Sequence, residues 1–416
     1  KPKRRGCTQE PGTRIHACSV ESGSALPTPN PRLRRPMPPP TPPMDEPVPV
    51  NDGFLRLTDE LVEEVFFRLG PDEPSRLVRA SAVRKHWRRI LADAGFCRRY
   101  REFHKTPPVL GLFNEDTSFV PTSALLPAQP EWRPRRRTMA AVDCRHGRAL
   151  ITPYNRYFGD FGEGEPFDLT VLDPLTGHRR RVSCPDNNVL WFSAAVLCAA
   201  QGCDHHGCQE GHFRVAFVTT DQQKRVTSGW LYSSETRAWN KLSSAHHHNV
   251  TKYTFNQRVP SVLVGDAIYF NIDGVIKCDL GTLRLSMFER PTNVKGRLMT
   301  AEDGGLGFAA VVDVTNLTLW SMETGLDEGA MGWSKLRVID LSTLLPDGVL
   351  SIPMPEYEIS CFAEGSQVIF ISIGACHMVD LKSRRVWKVS PPGRKFFPYM
   401  SFYMPAMEAG STGQGQ

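Results

Sequence analysis

No apolar run in this chain approaches the roughly 20 residues that a helix needs to cross a bilayer. Its opening residues also lack the charged, apolar and small-residue succession of a signal peptide. The P-loop, GxGxxG, GxSxG and HExxH patterns are missing, and with them the minimum elements of nucleotide, dinucleotide, serine-hydrolase and zincin chemistry. No CxxC pair occurs, and eleven cysteines scattered through 416 residues suit reduced, mostly buried thiols better than a disulfide framework. Basic excess is missing from the body of the chain as well. Residues 1–43 hold eight of the 50 lysines and arginines but only Glu10 and Glu21 among the 44 acids, so the whole net charge of +6 sits there. A protein-wide electrostatic footprint for nucleic acid is therefore absent. The chain reads as intracellular, in cytoplasm or nucleus, with neither a membrane nor a nucleic acid expected as partner.

The basic segment runs into eleven prolines between Pro27 and Pro49, a composition that forms neither helix nor sheet, so residues 1–52 are expected to be an extended, disordered tail. Lys1-Pro2-Lys3-Arg4-Arg5 is read as a solvated charge cluster, with a nuclear import signal as the alternative. The chain begins at Lys, and Met37 or Met44 is the expected biological start.

Residues 53–104, expected to hold a three-helix element and a following helix, contrast with everything after them. Thr58 stands as an N-cap ahead of Asp59 and Glu60, and Leu61, Val65 and Leu69 recur every four residues before Gly70 and Pro71 stop the helix. Pro74 opens a second helix that carries Leu77, Val78 and Ala80. A third carries Val83, Trp87, Ile90 and Leu91 on one side, with Arg84, Lys85, Arg88 and Arg89 on the others. Three helices this short cannot bury such stripes alone, and a partner surface is the natural place for the remainder.

These residues, from Leu57-Thr58-Asp59-Glu60-Leu61 through Leu69-Gly70-Pro71 and Leu77 to Lys85-His86-Trp87 and Asp93-Ala94-Gly95-Phe96, resemble an F-box of the kind found in flowering plants, grasses especially. Thr58 replaces the family's usual Pro, and Arg84 a common Cys. The resemblance covers about 45 residues. It implies docking on the Skp-type adaptor of a cullin-based ubiquitin ligase, through Leu57, Thr58, Leu61, Val65, Leu69, Pro74, Leu77, Val83, Trp87 and Ile90.

From residue 105 to 405 the pattern is one of short apolar runs between turn residues, such as Val109–Phe113, Phe213–Val218, Ala267–Phe270, Phe308–Val312 and Val368–Ser372. A polar turn ending in Thr or Ser recurs at Leu172–Thr176, Tyr232–Thr236, Cys278–Thr282, Trp320–Thr324 and Val379–Ser383. Trp239, Trp333 and Trp387 follow three of these turns, and the intervals are roughly forty to sixty residues. Such units are small antiparallel sheets. With Val109–Phe113 pairing with the C-terminal Phe396–Tyr403, they predict a β-propeller of about six blades, resembling the kelch-like and F-box-associated β domains, with a β-sandwich as the alternative. The expected fold class is thus α+β and multidomain, ending in a flexible segment at 406–416.

One cluster carries metal-ligand chemistry. Cys198, Cys203, Cys208 and His212 stand in a glycine-marked loop together with His205 and His206, but the four-residue gaps between cysteines favour a metal-free loop, and no cofactor is expected. His246-His247-His248 and Arg133–Arg137 read as exposed loops. The chain is therefore expected to be a non-catalytic substrate receptor that binds the Skp-type adaptor, through it cullin, and an unidentified protein target. The alternatives are a propeller-type hydrolase and an adaptor-independent scaffold.

Overall fold

Four short helices precede the β region: α1 (Asp59–Phe67), α2 (Pro74–Val83), α3 (Lys85–Ala92) and α4 (Ala94–His104). The structure is a computed structural model that describes residues 57–114, 117–122, 139–153, 166–186, 189, 192–200, 203, 205, 208, 211–221, 223–246, 259–272, 274–313, 315–324, 331–346, 358–389 and 396–404. The Pro-rich basic tail, Arg133–Arg137, His247, His248 and residues 406–416 lie outside these. The chain divides into two units, Lys1–Arg56 and Leu57–Gln416, and the described helices and strands belong to the second. No helix among the described residues is long and apolar enough to cross a membrane.

Local chemistry sets the helix boundaries. Thr58 adopts the extended N-cap backbone, although its side chain makes no capping bond to the helix. Pro74 takes the first helical position of α2, where a missing N–H costs nothing. Extended Arg84 separates α2 from α3, and Asp93 caps α4 by accepting from Phe96 N at 2.7 Å. Val62, Phe66, Leu77, Ile90, Leu91, Phe96 and Tyr100 form the helical core. Tyr100 Oη donates to Leu69 O at 2.6 Å and satisfies a carbonyl beyond the end of α1.

This core decides which face of α1 turns inward. Val62 and Phe66 point inward, whereas Leu61 and Val65 face solvent. Both pairs are spaced four apart, so periodicity alone cannot rank them. The Phe66 ring decides the matter by meeting Trp87 and Phe96 edge-on, with centroids 5.7 and 6.2 Å away.

The strands form a six-bladed propeller. Its blades are β3 (Met139–Arg145) to β6 (Arg179–Ser183), β7 (Phe192–Cys198) to β10 (Ala238–Lys241), β12 (Val262–Val264) to β15 (Arg284–Phe288), β16 (Gly296–Thr300) to β19 (Met331–Asp340), and β20 (Glu358–Phe362) to β23 (Arg385–Val389). Intervening strands follow in chain order, among them β4 (Arg148–Pro153), β5 (Asp168–Leu172), β8 (Phe213–Asp221) and β9 (Val226–Ser233), and a short β11 (Ala245–His246) also pairs with β9. The sixth blade is shared between the two ends of the domain: β1 (Val109–Asn114) lies between β2 (Phe119–Pro121) and β24 (Phe396–Met400). The β1–β24 ladder is antiparallel, with Phe113 opposite Phe397, as the two distant apolar runs led one to expect.

Each blade buries both faces, which explains why its strands read as nearly continuous apolar runs. On β8, Val215 and Phe217 join the cluster shared with the β3–β6 blade, while alternate residues Ala216 and Val218 join the one shared with the β12–β15 blade. Equivalent clusters fill the other blade boundaries.

The recurrent polar turn joins the third and outermost strands. Asp173 Oδ1 accepts from Leu175 N, Asp279 Oδ1 from Thr282 N and Oγ1, and Asp380 Oδ1 from Lys382 N and Ser383 N. These backbone bonds hold the Asp279 carboxyl below its ordinary value. The Trp that follows reaches back to the preceding blade. Trp239 Nε1 donates to Ser183 O and Trp333 Nε1 to Glu289 O, each at 2.8 Å.

Replacing Trp239 by Phe removes that inter-blade bond and is expected to cost about 1 kcal/mol in chemical denaturation. The same change at exposed Trp387 should stay within about 0.5 kcal/mol.

Candidate functional site

Once Val62, Phe66 and Leu77 are committed to the helical core, an apolar stripe is left outside it. Leu57, Leu61 and Val65 are 51%, 52% and 49% exposed at four-residue spacing, and Val83 at the end of α2 is 62% exposed. Thr58 is also exposed, Leu69 and Trp87 are half-buried against the core, Leu77 and Ile90 are buried within it, and Pro74 is buried at the start of α2. The residues singled out in the sequence therefore separate into an outward set and a set that supports it. Sequence reasoning passed over Val62 and Phe66, whose only signal was a second stripe one residue along, and also Phe67 and Tyr100. Two side-chain contacts brace the stripe's helix from behind: His86 Nε2 lies 2.7 Å from Asp59 Oδ1, and Arg99 Nη2 pairs with Glu63 Oε2 at 2.6 Å.

A second site lies where the inner strands converge. A register slip between Ala141 and Asp143 reshapes the end of β3, where Asp143 and Arg145 are buried. Arg145 Nη1 donates to Asp143 Oδ2 at 2.8 Å and to Ser261 Oγ at 3.2 Å, its Nη2 to Ser261 O at 2.8 Å, and its Nε to Glu364 Oε2 at 2.6 Å. Asp143 in turn accepts from Val196 N at 3.0 Å, and Glu364 from Leu263 N at 3.1 Å. One guanidinium thus ties together four blades. Arg297 extends the network, donating to Glu358 Oε1 at 2.7 Å and to Ser360 O at 3.3 Å.

Burial pushes the Asp143 carboxyl up to about 6, against the pull of Arg145, the Val196 N–H and the Ser261 hydroxyl. Burial also works against the Arg145 charge, but Asp143 and Glu364 outweigh it and raise the guanidinium above its ordinary value. Each carboxylate here is engaged by an arginine, and burial raises the neighbouring Cys144 thiol well above its usual range. A thiol held protonated in this way is not prepared as a nucleophile.

A cavity of about 150 Å³ opens over this network, lined by Arg145, His146, His205, Ser261, Glu364 and Phe402. Small-molecule sites usually begin near roughly 300 Å³, so the cavity suits an inserted side chain better than a whole cofactor.

The loop between β7 and β8 meets this cavity at His205, whose ring stacks on His146 with centroids 3.8 Å apart. Cys198, Cys203, His205 and Cys208 place their ligand atoms within 4.8 Å of one another. His212, the histidine singled out by spacing, is not in this group. Its carbonyl accepts from Ala199 N as the two strands meet, and its Nδ1 lies 3.5 Å from Ser234 Oγ. The cysteine spacings that disfavoured a common centre in the sequence are bridged because Cys198 sits on the last position of β7 while the other three lie beyond it.

No family model and no curated protein matches this chain. Among solved structures it is similar to the β-propeller domain of the Trilobed protease from Pyrococcus furiosus, at 11% identity over 58% of this chain and 66% of that one, with a TM-score of 0.31. It is also similar to TolB from Acinetobacter baumannii, at 11% identity over 61% of this chain and 65% of that one, with a TM-score of 0.28. A chain of a nidogen–laminin complex matches at 8% identity over 69% of this chain and 96% of its own length, with a TM-score of 0.36. The chain thus spans just under two thirds of the length of the first two.

Replacing Asp143 by Ala leaves Arg145 buried with one carboxylate fewer, and is expected to lower unfolding free energy by about 3 kcal/mol in urea titration.

Proposed function

We propose that this chain is a substrate receptor of a Skp-cullin-F-box ubiquitin ligase. The helical element docks on a Skp-type adaptor through Leu57, Leu61, Val65 and Val83, and the propeller holds a target protein. The observation that carries this reading is the outward apolar stripe on a helical cluster whose own core is already filled. Burying four such side chains on a partner is worth on the order of 6 kcal/mol before association costs, enough to nucleate an interface. Leaving them in water serves no folding purpose.

The propeller's part is a binding one. Its central carboxylates are neutralised by Arg145 and Arg297, an arrangement that favours a rigid frame over acid–base chemistry. In this mechanism the chain contributes proximity: it holds a lysine of the target near a conjugating enzyme carried by the cullin, which raises its effective concentration without chemistry of its own.

The expected result is copurification of the full chain with a Skp-type adaptor. Leu61→Asp combined with Val65→Asp should weaken that binding by roughly 100-fold or more in titration calorimetry, because both charges fall inside the apolar contact. The melting temperature should hardly change, since both positions are exposed. Full-strength adaptor binding by this double variant would rule the docking face out.

A further inference from the structure

We propose that Cys198, Cys203, His205 and Cys208 form a structural zinc site that holds His205 at the wall of the cavity. Three thiols and one imidazole are a complete ligand set for a closed tetrahedral zinc centre. With Zn–S near 2.3 Å and Zn–N near 2.0 Å, the edges of such a tetrahedron are about 3.5 to 3.8 Å long. The four ligand atoms already lie within 4.8 Å of one another, and Cys208 Sγ is 3.8 Å from His205 Nδ1, which makes Nδ1 the ligating nitrogen. Closing the remaining gaps takes movements of about 1 Å or less, well within the reach of side-chain rotation in a loop.

The surroundings fit the charge of that centre. Three thiolates and one Zn²⁺ leave a net charge of −1, and binding releases the thiol protons to solvent. Arg148, at the start of β4 and 2% exposed, lies against the group. Its Nη2 donates to the carbonyls of Cys208 and Gly211, while its buried Nη1 has no hydrogen-bond partner among the described residues. A buried guanidinium with an unused N–H beside three thiols is the counter-charge that a thiolate-rich centre requires. The Phe213 ring holds that guanidinium in place, 5.8 Å from its carbon.

A disulfide explains this arrangement less well. It would consume two of the three sulfurs and leave the third thiol, the imidazole and the Arg148 charge without a role. Zinc uses all of them and accounts for the presence of His205 rather than His212. The site also links to the cavity, because His205 stacks on His146 and both rings line its wall. A bound ion would therefore fix one side of the surface that the propeller offers to a target.

The test uses the full chain, expressed without an affinity tag in zinc-supplemented medium and purified without chelator. Stoichiometric zinc is expected by plasma mass spectrometry. Replacement by Co²⁺ should produce thiolate-to-cobalt charge transfer in the near ultraviolet and the strong visible bands of tetrahedral cobalt. Cys203→Ser and His205→Ala should each reduce the metal content to a small fraction of wild type, whereas His212→Ala and His246→Ala should leave it unchanged. Removing zinc from the wild-type protein with a strong chelator should lower its melting temperature by several degrees and make the β7–β8 loop sensitive to protease, which keeps the test decisive if the cysteine variants fail to fold. The proposal is overturned by folded wild-type protein that holds no stoichiometric zinc, by zinc that survives Cys203→Ser combined with His205→Ala, or by peptide maps showing a disulfide among the three cysteines after anaerobic purification.

Discussion

The ladder between β1 and β24 is the constraint on which the rest of this structure depends. It joins Val109–Asn114 to Phe396–Met400 across nearly the whole domain and turns a row of blades into a ring. Without it, the β20–β23 blade and the β3–β6 blade would each present a bare apolar face, and the clusters built on Leu112 with Phe396, and on Phe113 with Phe397, would not exist. Closure of this kind removes exposed faces at the cost of ordering a very long loop, a cost recovered only when the last strand arrives.

The same strand carries the closure into the helical element. Immediately past β24, Ser401 N donates to Pro108 O, and Phe402 and Met404 enter the core formed by Val62, Phe66, Phe96 and Tyr100. The Tyr100 and Phe402 rings meet edge-on at 6.4 Å. The helices are therefore seated on the ring rather than tethered to it. A short helical cluster that could not bury enough surface alone gains its missing core from the chain's far end. This frees Leu57, Leu61, Val65 and Val83 from any folding duty, and underlies the proposal that they serve a partner.

Two kinds of interaction hold the ring, and they are separated in space. Apolar faces fill the boundaries between blades, while the convergence of the inner strands is polar, built on Arg145 and Arg297. Desolvating these charges is expensive and is offset by short, multiple hydrogen bonds to several blades at once, so the network contributes register and rigidity more than net stability. Near it, at the cavity wall, the β7–β8 loop brings its thiols and imidazole together, so the part of the propeller with the most chemistry is also the part with the firmest footing.

Much of this was legible in the sequence because it depends on local rules. Helix limits follow from Pro74, from Gly70 with Pro71 and from the acids after Thr58, and the blade count from a turn whose Asp side chain bonds its own backbone at Asp173, Asp279 and Asp380. The pairing of the first and last apolar runs was also readable, since two unpaired strand patterns at the ends of a closed repeat have only each other. Choices between locally equivalent options were not readable. Leu61–Val65 and Val62–Phe66 have the same period, and only packing against Trp87, Phe96 and the distant Phe402 decided which pair faces inward. Ligand spacing likewise did not reveal that His205 rather than His212 joins Cys198, Cys203 and Cys208, because strand pairing turns one histidine away and holds the other in place. The sequence by itself determined where the chain turns and what each segment is able to bury; the tertiary structure decided which apolar face turns inward, through neighbours as distant as Phe402, and which histidine joins the cysteines, through the pairing of β7 with β8.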